Sequence, residues 1–324
     1  MINAAQTPQP TTVVLTGASR GIGLEISRLL AQQKFNIIGI ARSSSQLENW
    51  ANEMSDYGIQ TKQLVFNLSH TERFTELVSE VMQSAYQLGS DRIDILINNA
   101  GVEIYRSFQD YSTEEIEKIL SVNLTAPMLL TRLLLPHLSA QGQIINMASL
   151  AGKKGHPYDS AYAASKAGLL MWSHSLRQEM AHSAQTVSVI CPGYVVGSGM
   201  LSDTGISAPW IAGRSSATAV ASAVLKAIVH RKAEVIINRD VFTETATRLL
   251  LAVEQLFPRL ADFSNQQMGI TRLNQRRIRP TIDSSSSRFA ASYSFSSSSS
   301  ASSSASSSSS APKRRTQVRS KEIP

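Results

Sequence analysis

A short run rich in β-branched residues, Val13-Val14-Leu15, leads straight into Thr16-Gly17-Ala18-Ser19-Arg20-Gly21-Ile22-Gly23. A helical pattern follows over residues 22–33, with Ile22, Ile26, Leu29 and Leu30 on one face. Strand, glycine loop and helix in that order admit few folds. The glycines let the backbone turn tightly and approach a pyrophosphate, and the free N–H groups at the start of the helix point at it. Gly17, Ser19, Arg20, Gly21, Ile22 and Gly23 are therefore expected to hold a dinucleotide.

The alternation continues down the chain. Apolar runs predict strands at 13–15, 37–40, 62–66, 93–97, 143–147, 187–190 and 234–237, with helical segments at 45–57, 71–88, 113–138, 160–182 and 215–231 between them. A barrel would need an eighth strand, which the pattern does not supply. The expected fold is α/β, a Rossmann-like doubly wound, mostly parallel seven-stranded sheet with helices on both faces.

Domain organisation follows from where this pattern stops. Residues 1–11 read as a flexible lead-in, 12–240 as the nucleotide-binding domain, and 241–280 as a helical extension, with an amphipathic helix at 243–257 and a less regular 258–273. Residues 281–324 are a serine-rich and basic tail, too poor in apolar residues to offset its ordering entropy and so expected to be disordered. The net charge of +7 is a property of that end: residues from 272 on hold 10 of the 31 Lys and Arg but only 2 of the 24 acids. The main domain is near neutral, and nothing in its charge argues for nucleic acid. One cysteine, Cys191, excludes an internal disulfide, and the histidines show no metal-ligand spacing, so no metal is expected. No run reaches the roughly 18 apolar residues of a membrane span, and no secretory signal is evident, which points to a cytoplasmic protein. Leu249-Leu250-Leu251-Ala252-Val253 is read as a core or dimer contact.

The second strand ends in Ala41-Arg42-Ser43. An acid there would bond the adenosine ribose and repel a 2′-phosphate; none is present. Arg42 and Arg20, with Ser43 beside them, suit a phosphate dianion by charge and fork geometry, so NADP(H) is expected over NAD(H). Asn67 and Leu68, after the third strand, are placed against the adenine. Asn98-Asn99-Ala100-Gly101 ends the fourth strand, where an open sheet puts its ligand.

Tyr162 and Lys166 are four residues apart, one turn along the same helix face. An ammonium near a phenol favours the phenolate and is expected to pull the tyrosine below its ordinary pKa, making it a general acid and base near neutrality. Ser149 ends the fifth strand and is placed to bond the same substrate oxygen. Pro127 is expected to bend its helix near Asn123, freeing a carbonyl and an amide to hold water. The loop 153–159, carrying His156, should sit beside the site.

These pieces together resemble the single-domain short-chain dehydrogenase/reductases, and are similar to bacterial 3-oxoacyl-carrier-protein reductases and related carbonyl reductases. The matching residues are Thr16-Gly17-x-x-x-Gly21-x-Gly23, Asn98-Asn99-Ala100-Gly101, Asn123, Ser149, Tyr162-x-x-x-Lys166 and Pro192-Gly193, in the family's order. The resemblance implies hydride transfer between NADP(H) and a carbonyl or alcohol carbon. Tyr162 would be the acid and base, Lys166 its activator and a ribose contact, Ser149 the substrate-oxygen donor, and Asn123 the holder of a relay water. It also adds Asn99, Ala100, Gly101, Pro192, Gly193 and Val195 to the cofactor contacts, and a homodimer or homotetramer built on the helices at 113–138 and 160–182. The family's threonine after Pro-Gly is absent; Ser198 is the expected substitute. Met200, Trp210 and Ile211 hint at an apolar substrate. The altered Gly197-Ser198-Gly199 loop and the unusual tail leave an alternative, an NADP(H)-binding regulatory or scaffolding protein with little turnover.

Overall fold

The computed structural model describes residues 11–197, 214–237 and 241–278. In chain order the strands are β1 (Thr12–Thr16), β2 (Asn36–Ala41), β3 (Thr61–Val65), β4 (Ile93–Asn98), β5 (Leu138–Met147), β6 (Thr186–Pro192), β7 (Tyr194–Val196), β8 (Arg214–Ser216) and β9 (Glu234–Ile237). Seven of them form one parallel sheet in the order β3-β2-β1-β4-β5-β6-β9. These are the seven strands the sequence predicts. β7 and β8 make a separate two-stranded parallel ladder that the sequence does not announce, being only three residues each.

Helices α1 (Gly21–Gln32), α2 (Ser44–Ser55), α3 (Phe74–Gln87), α4 (Thr113–Leu120), α5 (Ala126–Leu134), α6 (Ser160–Glu179) and α7 (Ala217–His230) cover the sheet. Side chains alternate across a strand, so β1 feeds two cores. Val13 and Leu15 pack with Ile26, Leu30, Trp50, Val220 and Val224 of α1, α2 and α7. Val14 packs on the other face with Phe74, Leu77, Leu130 and Leu134 of α3 and α5. Strands buried on both faces read as continuous apolar runs, which is why they were legible. The strand order reverses between β1 and β4, and the crevice outside the carboxyl ends at that reversal is where such sheets bind ligands.

The helical run from 113 to 137 is continuous, with right-handed helical dihedrals at Leu120, Ser121, Thr125 and Ala126. The irregularity expected near Asn123 takes the form of a π turn at Ser121–Thr125 between α4 and α5, just ahead of Pro127, whose missing N–H interrupts the helical ladder. By length and hydropathy this run passes as a membrane span, but Val122, Asn123, Ala126, Leu130 and Leu134 are buried within the fold.

Residues 258–273, expected to be less regular, are helical. After α8 (Val241–Leu256) come α9 (Pro258–Gln267) and α10 (Ile270–Arg277), separated by Gly269 at φ +68°. Hydrophobic periodicity missed them because the buried face of α10 is Ile270, Asn274 and Arg277, mostly polar. The leucine run on α8 divides: Leu251 is buried against β6 and β9, while Leu249 is exposed. The lead-in through residue 10, Ser198, Met200, Trp210, Ile211 and the 281–324 tail lie outside the described residues.

Candidate active site

The carboxyl ends of the central strands open into one cavity of about 760 Å³. Its floor is the β1–α1 loop. Gly17 takes φ +67°, and a Cβ there would stand 3.0 Å from the Ala100 backbone; at Gly23 it would stand 1.9 Å from the Gly17 carbonyl oxygen. Thr16 locks this loop to the end of β4: its Oγ1 accepts from the Asn99 and Ala100 amides at 3.0 Å each, and the Asn99 side chain donates back to the Thr16 carbonyl at 3.0 Å. Gly17, Ser19, Arg20, Gly21, Ile22 and Gly23 all line the cavity, as do Asn99, Ala100 and Gly101.

Arg42 and Ser43, at the end of β2, line its outer wall together with Asn67 and Leu68. Arg20 and Arg42 are exposed, and the Ser43 hydroxyl caps α2 by accepting from the Gln46 amide at 3.3 Å. Pro192, Gly193 and Val195 line the wall beyond β6.

At the inner end stand Ser149, Tyr162 and Lys166. Ser149 follows β5 and starts a one-turn helix by accepting from the Ala151 amide at 3.1 Å; its hydroxyl donates to the Pro192 carbonyl at 3.5 Å. Lys166 is 2% exposed, donates to the Met147 carbonyl at 2.8 Å, and lies 5.7 Å from the centre of the Tyr162 ring. Burial lowers its pKa to about 8. The expected acidification of Tyr162 is corrected: burial, then the charges of Glu103 and Asp159, push the phenol well above its ordinary value, outweighing the opposite pull of the Ser149 hydroxyl.

Asn123 does not line the cavity. It sits fully buried behind it in the π turn, where its amide group is saturated: Oδ1 accepts from the Val102 amide at 2.8 Å, and Nδ2 donates to the Val102 carbonyl at 2.8 Å and to Ser165 Oγ at 3.0 Å. Its side chain pins the extended segment after Gly101 to α6.

At the substrate end the loop 153–159 lies beside the site as expected, but the helical contribution from residues 247–270 was not foreseen. Lys154, His156, Leu250, Leu251, Glu254, Met268 and Ile270 close that end, so α8 and the start of α10 form part of the wall. Polar ties hold these helices to the loop after Ser149. Lys154 donates to Glu254 at 2.7 Å with both side chains buried, Asn265 donates to the Gly155 carbonyl at 3.2 Å, and Asn274 donates to the Pro157 carbonyl at 2.9 Å. His156 Nδ1 lies 3.3 Å from Asn265, and burial lowers its pKa to about 4, so it is neutral at pH 7. Cys191 is a packing residue at the end of β6, its thiol pushed up to about 12 by burial. Among the described residues no group of His, Cys, Asp and Glu could hold a metal ion.

The profile of the short chain dehydrogenases matches residues 11–206. The chain belongs to that family of oxidoreductases. Ketoacyl reductase HetN of a Nostoc species is 44% identical over 268 residues, spanning 82% of this chain and 92% of the relative. A metagenomic short-chain oxidoreductase solved in complex with NADP superposes with a TM-score of 0.60 at 28% identity, covering 71% of this chain and 98% of that one. A short-chain dehydrogenase from Burkholderia phymatum in complex with NAD shares the fold, with a TM-score of 0.67 at 19% identity, covering 78% of this chain and 95% of that one. The family match ends before the helices that close the cavity, and those helices carry the residues that sequence reasoning missed.

Proposed function

We propose that this short-chain dehydrogenase is an NADP(H)-dependent carbonyl reductase whose general acid is Tyr162. The observation that carries the reading is the meeting of Ser149, Tyr162 and Lys166 at one end of a cavity whose other end is a glycine loop and two arginines. The residues fit a nicotinamide dinucleotide. The space a Cβ would fill at Gly17 and Gly23 keeps the backbone low, Gly21, Ile22 and Gly23 at the start of α1 line the cavity, Arg20 stands in the glycine loop, and the end of β2, Ala41-Arg42-Ser43, carries an arginine and no acid. When bound, that group supplies or accepts a hydride at the substrate carbon.

The chain's own residues handle the oxygen and its proton. The Ser149 and Tyr162 hydroxyls, both on the cavity wall, would converge on the carbonyl oxygen. Tyr162 is held protonated at neutral pH by burial and by Glu103 and Asp159, the form that donates to a developing alkoxide and so favours reduction. Lys166 would hold the ribose side of the cofactor, and its buried ammonium would return a proton to Tyr162. Asn123 shapes the π turn through which a relay water would reach it. The name of the HetN relative makes β-ketoacyl thioesters the first substrates to offer, and the apolar Leu250, Leu251, Met268 and Ile270 suit an alkyl chain. A homodimer or homotetramer through α4, α5 and α6 is proposed with it.

The test is Tyr162→Phe. The expected result is a loss of kcat on the order of 10³-fold with NADPH affinity unchanged by fluorescence titration. Wild-type turnover surviving in the variant overturns the assignment.

A further inference from the structure

His156 stands at the substrate end of the cavity, in the loop after Ser149, and hydride transfer gives it no role. Its neighbours decide which ring nitrogen is protonated. Asn265 of α9 donates to the Gly155 carbonyl at 3.2 Å. A carbonyl oxygen only accepts, so the amide nitrogen of Asn265 must be the atom turned towards it. The amide oxygen is then the atom that faces His156 Nδ1, at 3.3 Å. That oxygen also only accepts, so Nδ1 carries the hydrogen. A neutral imidazole has one donor and one acceptor, which leaves the lone pair on Nε2.

The ring stays neutral at pH 7. Burial lowers its pKa to about 4; the Asn265 bond and the Glu254 charge oppose that, and the Lys154 and Arg277 charges add to it. With Nδ1 held as the donor, only protonation would make Nε2 one, so near neutrality this nitrogen accepts. Nε2 takes no hydrogen bond from the described residues and is not one of the enclosed polar atoms left unpartnered, so it meets open space; the space that His156 borders is the cavity. The charged pair on the same wall is satisfied from within. Lys154 donates to Glu254 Oε1 at 2.7 Å, and Ser264 donates to the same oxygen at 2.6 Å. Glu254 Oε2 has no partner among the described residues but is enclosed. Of these groups, Nε2 is the one that presents an acceptor to a ligand.

We propose that His156 is a specificity-determining residue, held by Asn265 as the Nδ1–H tautomer so that Nε2 accepts a hydrogen bond from the substrate. The substrate class is then a carbonyl compound whose chain carries an uncharged donor, an amide N–H or a hydroxyl, beyond the reacting carbon. A free carboxylate brings only acceptors and would face the Nε2 lone pair with no hydrogen between them. A purely alkyl chain would displace water from Nε2 and leave it unpaired, the kind of loss by which a polar site rejects an analogue lacking the donor. Asn265 does not line the cavity; it is a positioning residue, through which α9 takes part in substrate choice. The inference deepens the carbonyl-reductase reading, and its substrate half rests on that reading.

The tautomer is tested without turnover, by proton–nitrogen two-bond correlation spectra of the imidazoles in the full-length protein. The chain has 6 histidines, and the His156 signals are those lost in His156→Gln. The expected result is a protonated Nδ1 and a bare Nε2, unchanged from about pH 8 to about pH 5.5. A wild type in which no histidine shows this tautomer overturns the proposal before any variant is made, and so does a His156 protonated at Nε2. The substrate half is tested on the complex with NADP⁺, which has no hydride to give. Three derivatives of one 3-oxoacid are titrated: the N-acetylcysteamine thioester, which carries an amide N–H, the 2-hydroxyethyl ester, which carries a hydroxyl, and the ethyl ester, which carries neither. At least one donor-bearing compound should move the Nε2 resonance upfield, and the ethyl ester should not. No movement with either donor-bearing compound, or equal movement with the ethyl ester, overturns the proposal, whether or not they turn over. In turnover with NADPH, His156→Phe should cut the kcat/KM preference for the donor-bearing compound over the ethyl ester by about five- to tenfold. His156→Gln, whose amide oxygen can reach the Nε2 position, should keep more of that preference. A merely structural role would leave the ratio as in wild type. Turnover without movement of Nε2 leaves the reductase reading standing and sinks this one. No turnover of any of the three, with the tautomer as expected, counts against the reductase reading instead.

Discussion

The two ends of the cavity are built on opposite principles. The nucleotide end is made of backbone, glycine and exposed arginines: Gly17, Gly21 and Gly23 at the mouth of α1, with Arg20 and Arg42 at its rim. The substrate end is made of buried ionisable groups paired across long sequence distances, Lys154 with Glu254 and Arg277 with Tyr105. One end offers donors to a ligand that brings its own charge. The other must neutralise its charges internally before any substrate arrives. A substitution at the first end should therefore be read chiefly in cofactor binding, and one at the second chiefly in folding stability.

Glu254→Gln puts the sharpest strain on that contrast. It leaves the Lys154 ammonium buried without its carboxylate, and urea unfolding should show a loss of about 3 kcal/mol while NADPH affinity stays within twofold. A near-neutral result would mean that α8 is not knit into the domain as described. Gly23→Ala is next. Its methyl would meet the Gly17 carbonyl oxygen at 1.9 Å, and the loop must move, so a stability cost of about 1–3 kcal/mol should come with a marked loss of NADPH binding by fluorescence. Retained binding would detach the glycine loop from the cofactor.

Arg42→Ala should leave stability unchanged and weaken NADPH about tenfold, near 1.4 kcal/mol, with NADH unaffected. Equal losses for both cofactors would remove the basis for an NADP(H) preference.

The smallest effect concerns acid stability. Burial alone would raise the Glu234 carboxyl, but the Lys153 hydrogen bond and charge, with Arg248 and His174, outweigh it and hold the group below 4.5. A depressed carboxyl contributes stability that is complete above the unfolded value of about 4.3 and is lost as pH falls through the folded one. Glu234→Gln should accordingly be somewhat less stable than wild type at pH 7 and lack that part of the pH dependence below about 4.3, the two proteins converging as pH falls.

Legibility followed the same division. The placing of Gly23, Arg42 and Tyr162 on the cavity was readable because each belongs to a contiguous stretch at the carboxyl end of a strand or the start of a helix. Arg277 was not. It is the last arginine of a polar helix ending Asn274-Gln275-Arg276-Arg277, and a charged side chain there is ordinarily solvated. The i, i+4, i+7 spacing of Ile270, Asn274 and Arg277 was the available signal, though a polar stripe does not announce burial. Glu103 lay two residues beyond a motif and carried no pattern of its own. The sign of the Tyr162 shift was misjudged for a related reason: sequence spacing names Lys166 as a neighbour, but gives no weight to burial or to acids brought in by loops.

The order of strands and helices, the two-faced burial of the sheet and the placing of glycines at its switch point were all determined by the sequence itself, because they rest on interactions between residues close in the chain or on simple periodicity. The π turn around Asn123, the closing of the cavity by α8 and α10, and the charge state around Tyr162 were decided only by the tertiary structure. Each depends on groups more than 20 residues apart, such as Val102 with Asn123, Lys154 with Glu254, and Tyr105 with Arg277. Burial and electrostatics are properties of the assembled environment, and no local pattern encodes which distant charge will arrive to balance them.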